Sequence, residues 1–153
     1  MAIGEICSRV VTFVKTNDSI VTSTELMRKQ HIGSLVVIDG RDGKNIPVGM
    51  FTDRDVAVGV VAIGLDPALT TVGDVMSPEL VCVREDAGVA EVMALMRQKG
   101  MRRLPVVNAA GELVGLIAAD DLIRLLGEEM SDLAKMISGG EHREKQLRRA
   151  AGS

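Results

Sequence analysis

The chain has 153 residues, a formal net charge of −3 and 46% apolar residues, with two phenylalanines and no tryptophan or tyrosine. Its length and apolar content give a folded chain of one domain or two small ones, and exclude a disordered one. The acidic balance argues against nucleic acid as the main partner, no apolar run reaches the length of a membrane span, and any bound base rests between aliphatic side chains because aromatic platforms are missing.

The first five residues lack the basic start and apolar stretch of a signal peptide. Cys7 and Cys82 lie far apart with no metal spacing, which suits a reducing cytoplasm. Residues 2–9 read as a short lead-in helix and 10–14 as a short β-rich run. Asn17, Asp18 and Ser19 carry helix-start chemistry. Over 20–30, the positions of Ile20, Val21, Leu26 and Met27 predict a helix with one buried stripe. The continuous apolar run 35–38 predicts a strand buried on both faces. A glycine-containing turn over 39–45 leads to a returning hairpin strand, 46–51, with Ile46, Val48 and Met50 as its buried set. A helix started by Thr52 runs to about Ile63.

This β-α-β-β-α order repeats. A shift of 69 places Val14 on Val83, Ile20 on Val89, Leu26-Met27-Arg28 on Leu95-Met96-Arg97, and Leu35 on Leu104. A deletion of three residues in the second hairpin then puts Val48-Gly49 on Val114-Gly115 and Asp55 on Asp121. A shared order of elements over about fifty residues marks a duplication. Each half is too small to bury its sheet and helices alone, so the copies should pack on each other around a pseudo-twofold axis. The bridge 64–79 contains one short helix at 71–76. After the second repeat, 122–137 continues as helix until Gly139-Gly140 breaks it, leaving a charged stretch, 141–151, that is either a solvated tail or a contact arm for a partner or second subunit.

The functional end of the first repeat is Gly49-Met50-Phe51-Thr52-Asp53-Arg54-Asp55, where a strand runs into a helix. Thr52 and Asp55 are three apart, and both side chains point back over the first helical turn, beside unpaired backbone N–H groups. That arrangement suits a sugar hydroxyl or a phosphate. The same Thr-x-x-Asp pattern is also a plain capping box. His31 and His142 have no neighbours at metal-ligand spacing. Cys7 and Cys82 read as core thiols, and Met27, Met93, Met96 and Met130 as core filling. Val56, Val60, Val61 and Ile63 give a broad apolar surface, for packing between the repeats or for a homodimer. No phosphate loop, nucleophile elbow or nucleophile–histidine pair is present, so nothing points to an enzyme.

The halves resemble a tandem pair of CBS domains, a Bateman module. The likeness rests on Met27 and Leu35-Val36-Val37 with the 49–55 motif in the first copy, and on Met96-Arg97 through Met101-Arg102-Arg103-Leu104-Pro105-Val106-Val107, then Val114-Gly115 through Asp121, in the second. It implies an α/β fold of two β-α-β-β-α repeats, at 2–66 and 67–128, with a helical, charged tail at 129–153. It also implies two clefts for adenosine compounds such as AMP, ADP, ATP or S-adenosylmethionine, with magnesium as an accompaniment to ATP. By the same resemblance, Thr52 faces a phosphate and Asp55 the ribose, with Arg54 in the same motif. Met101, Arg102, Arg103 and Pro105 of the second copy then complete the cleft, and Met50, Met101 and Pro105 offer apolar faces for adenine. The other cleft keeps Asp121 but has Ala118 for the threonine and Gly33-Ser34 for the arginines, so it should recognise phosphate poorly. The expected protein is a cytoplasmic, homodimeric regulator that binds no membrane or nucleic acid and passes ligand occupancy to a protein partner. The rival reading is an interaction protein with empty clefts acting through its tail.

Overall fold

The computed structural model describes residues 1–152, with Arg41 through its backbone only. The chain divides into two compact units, Met1–Ala118 and a second that begins at Ala119. The first unit contains both sheets. Its first repeat runs β1 (Phe13–Lys15), α1 (Ile20–Gln30), β2 (Ser34–Asp39), β3 (Ile46–Thr52) and α2 (Asp53–Val56), then a π-helical turn, Ala57–Val61. After α3 (Val72–Val75), the second repeat runs β4 (Val83–Arg84), α4 (Val89–Lys99), β5 (Arg103–Val107) and β6 (Leu113–Ala118). In each sheet the first strand is parallel to the second and the second antiparallel to the third, in the orders β1-β2-β3 and β4-β5-β6. Even the irregularity repeats: the register slips at Val37/Ile38 and at the equivalent Val106/Val107.

Local chemistry explains the elements. The Ser19 hydroxyl accepts from the Thr22 amide and caps α1. Ile20 and Met27 are buried on its inner stripe. Leu35, Val36, Val37 and Ile38 are all buried, as a run without alternation requires of a strand covered on both faces. In β3 the alternation falls on the opposite parity from the expected one: Pro47, Gly49 and Phe51 are buried, whereas Ile46, Val48 and Met50 are only half-buried. Phe51, the bulkiest of these side chains, takes the interior and sets which face turns inward.

The two repeats exchange their leading segments. A 3-10 turn at Ile3–Glu5 sits against the second repeat, with the Ile3 amide donating to Ala87 O at 2.8 Å and the Gly4 amide to Glu85 O at 2.8 Å. Ser8 and Leu116 donate to each other's carbonyls at 3.0 and 2.9 Å. Sixty-nine residues later, α3 does the same to the first repeat. The Val72 amide donates to Asp18 O at 2.9 Å and the Gly73 amide to Thr16 O at 2.8 Å, and Ser77 bridges to Met50. Val72 belongs to the apolar core of the first repeat, with Val14, Ile20, Met27, Leu35, Val37, Phe51 and Val60. Its counterpart Ile3 is likewise buried. Residues 2–8 are thus hydrogen-bonded to the second repeat and residues 71–77 to the first.

The exchange explains a motif glycine in each copy. A Cβ on Gly49 would stand 2.9 Å from Ser77 O and 3.0 Å from Met76 Sδ; on Gly115 it would stand 2.6 Å from Cys7 Sγ and 2.9 Å from Ser8 O. Only a residue without a side chain lets the visiting segment lie this close.

The second unit is one helix, α5 (Ala119–Ala151), which passes through Gly139-Gly140 without the expected break and without a boundary at 128/129. Two glycines cost about 1 kcal/mol each in a helix, and the Glu, Lys, Arg, Leu and Ala around them are strong helix formers. Met130 is 67% exposed, so it is not the core filler expected. Among the described residues no helix is long and apolar enough to cross a membrane.

Candidate functional site

Thr52 and Asp55 form a reciprocal capping box at the start of α2. The Thr52 hydroxyl accepts from the Asp55 amide at 3.2 Å and the Asp55 carboxylate accepts from the Thr52 amide at 2.9 Å. Both side chains are half-buried. The box does not exhaust either group. A threonine oxygen that accepts a bond still has its O–H to donate, and a carboxylate with one bond still has lone pairs for a hydroxyl. Asp53 donates its amide to Gly33 O at 3.0 Å, and its carboxylate accepts from the Arg54 amide at 2.9 Å. A Cβ on Gly33 would lie 2.8 Å from that carboxylate, so the loop before β2 and the turn into α2 are held in close register.

A hollow of about 200 Å³ opens beside this turn, lined by Val10, Thr12, Val36, Met50 and the 31–34 loop of the first repeat, and by Arg103 and Leu116 of the second. Under the repeat shift Met50 is the counterpart of Leu116, and Ser34 of Arg103. Two equivalent pairs in one lining place the hollow on the pseudo-twofold axis, where the duplicated positions meet. It is asymmetric in charge because one side brings a serine and the other a guanidinium. The expected division, with Gly33-Ser34 in one cleft and Arg103 in another, therefore needs correction: these residues share one hollow.

Of the expected residues, Met50 and Arg103 are brought together there. Thr52 and Asp55 meet each other in the capping box and are not among the residues lining the hollow, nor is Arg54, which is exposed at the start of α2. Met101 is half-buried, its amide donating to Met96 O at 3.0 Å. Arg102 is exposed at the end of the 100–102 loop, and Pro105 is buried within β5, opposite Leu116. Asp121 lies in the helical unit, 3.6 Å from Arg124.

His31 is a lining residue that the sequence reading weighed only as a metal ligand. It closes α1 in the left-handed conformation, φ 56°, with its amide donating to Met27 O. Its counterpart Gly100 closes α4 at φ 64°. Histidine pays a steric penalty in this region that glycine does not. The signal was present in the alignment of the repeats, where a histidine stands against a glycine at a helix end.

Both cysteines are half-buried. Burial pushes the Cys82 thiol from an ordinary 9.0 up to about 11. No cluster of three or more metal-ligating side chains occurs among the described residues.

Comparison with known proteins gives this architecture its relatives. The CBS domain family matches residues 3–61 and 72–128. An uncharacterised protein, MK0525 of Methanopyrus kandleri, is 34% identical over 125 residues, covering 82% of this chain; the chain spans only 62% of that protein's length. A CBS-domain protein from Burkholderia ambifaria MC40-6 superposes with a TM-score of 0.70 at 31% identity, over 82% of this chain and 93% of its own. CBSX2, solved in complex with AMP, superposes with a TM-score of 0.71 at 25% identity, over 84% of this chain and 98% of its own. With two family matches, one in each half of the duplication, and the paired β-α-β-β-α folds they predict, the chain belongs to the CBS-domain family and carries a tandem CBS pair.

Proposed function

We propose that the chain is a regulatory module that binds an adenosine compound (AMP, ADP, ATP or S-adenosylmethionine) at the hollow on the pseudo-twofold axis. The observation that carries this reading is the joint lining of that hollow by Met50 and Ser34 from one repeat and by Leu116 and Arg103 from the other. Apolar faces from both copies suit a purine, and a guanidinium is a fixed fork for phosphate oxygens. The spare Thr52 donor and the spare Asp55 lone pairs, at the adjacent turn, suit a phosphate and the ribose hydroxyls. The AMP complex of CBSX2 supports the ligand class. A ligand held by both repeats favours the arrangement in which both contribute, and by linkage shifts any equilibrium with a protein partner. No step of this reading needs a catalytic group, and magnesium enters only as the companion of a triphosphate. The setting is the cytoplasm and the assembly a homodimer.

Calorimetric titration of AMP, ADP, ATP and S-adenosylmethionine tests the proposal. At least one binds, and Asp55→Ala weakens it about tenfold to a hundredfold, the value of one charge-assisted hydrogen bond. Asp121→Ala has the smaller effect. If none of the four raises the melting temperature at millimolar concentration, the sensor reading falls and the chain is an interaction protein.

A further inference from the structure

The face of α5 that carries Ile123, Leu126, Met130, Leu133, Ile137 and Leu147 is a single stripe. From Ile123 to Ile137 they recur with alternating spacings of three and four, the period of a coiled-coil seam, and the same period carried on through Gly140 and Glu144 reaches Leu147. All six are exposed, from 41% at Leu126 to 67% at Met130. An amphipathic helix of 33 residues depends on packing of its apolar face more than on propensity, and this one presents that face uncovered along nearly its whole length of about 50 Å.

We propose that α5 is a self-pairing arm, through which two copies of this chain join as an antiparallel two-helix coiled coil. Charge selects the occupant and its direction. The first half of the helix is acidic, with Asp120, Asp121, Glu128, Glu129 and Asp132 against Arg124 and Lys135. The last part is basic, with Arg143, Lys145, Arg148 and Arg149 against Glu141 and Glu144. Antiparallel pairing lays each acidic half along a basic one; parallel pairing stacks like on like.

The seam positions agree. With Leu133 facing the partner's Ile137, Ile123 meets the partner's Leu147, and Met130 meets the partner's Gly140, so a long side chain fills the space a glycine leaves. Leu126 meets the stem of the partner's Glu144, whose carboxylate reaches out to water. Glu129, flanking the seam, comes opposite the partner's Arg143. In a parallel pair two Glu144 side chains meet in the seam, two Gly140 leave a gap, and Arg143 flanks the partner's Arg148. Each of these differences favours the antiparallel arrangement. The proposal is independent of the ligand reading.

Light scattering on the eluting full-length chain, with its concentration series, tests it. The expected result is a dimer whose dissociation constant rises at least about tenfold in Leu133→Arg. Direction is read from the single variant Arg143→Glu. Antiparallel pairing sets the new acid against the partner's Glu129 and weakens the dimer, and Glu129→Arg added to it restores the contact. Parallel pairing instead relieves an arginine pair, so Arg143→Glu strengthens the dimer and overturns the proposed direction. A monomeric full-length chain, or a dimer that ignores Leu133→Arg while circular dichroism shows the helix intact, overturns the arm itself.

Discussion

The two repeats agree where they hold each other and differ where they face the hollow. Residues 2–8 and 71–77 dock with matching hydrogen bonds on equivalent positions of the opposite sheet, each against a glycine that leaves no space for a Cβ. Around the axis, by contrast, Ser34 answers Arg103 and His31 answers Gly100. Packing is a constraint both copies must meet in the same way. On the proposed reading, a ligand lying across the axis meets the two copies at once, so nothing requires them to match there.

Breaking the common part should have the largest effect. Gly115→Ala pushes a methyl against Ser8 O and Cys7 Sγ, and Gly49→Ala pushes one against Ser77 O and Met76 Sδ. Each is expected to cost about 1–3 kcal/mol, as overpacking does, read as a lower denaturant midpoint with unchanged slope. If either variant is as stable as the parent, the close approach does not constrain that glycine.

A smaller and opposite effect sharpens the difference between the copies. His31→Gly gives the first repeat the residue that the second uses at the same helix end. It relieves the left-handed strain but loosens the unfolded chain, for a net gain of about 0.5–1 kcal/mol. If His31 also serves the hollow, the same variant binds nucleotide more weakly while melting higher, and that divergence separates a site residue from a merely strained one.

The smallest effect is at Cys82, the counterpart of Phe13. Because its folded value lies near 11 and its ordinary value at 9.0, the thiol is neutral in both states below pH 9 and ionises first in the unfolded chain above it. Stability is therefore lost as pH rises from 9 toward 11. Iodoacetamide labelling of Cys82, read by mass spectrometry at pH 9, should be slow in the folded protein and fast in denaturant. Equal rates would mean that the thiol is open to water.

The element order was legible from periodicity: α1 occupies residues 20–30 as expected, the run 35–38 is buried, and the duplication predicts the two paired sheets. The exchange of leading segments was not, because residues 2–8 carry no local sign of which sheet they join. The clue was there in extending the shift, which sets Ile3 on Val72, Gly4 on Gly73 and Ser8 on Ser77. The parity of β3 escaped because apolar residues lie on both of its faces, and only the bulk of Phe51 decides. Helix α5 escaped because glycine pairs signal a break locally, whereas the seam that argues for continuity spans the whole segment. At the site, Met50 and Arg103 could be chosen from the motifs, but the hollow they share depends on tertiary geometry that motifs do not encode.

The traded segments have a bearing on where such a chain can come from. A protein with a single copy would own one arm and one empty socket, and the arm does not fold back onto its own sheet. Such a half closes its surface only by taking a twin, each inserting into the other. Joining those twins end to end would fix the pair in one polypeptide and free each half to drift, leaving the unlike residues around the central hollow.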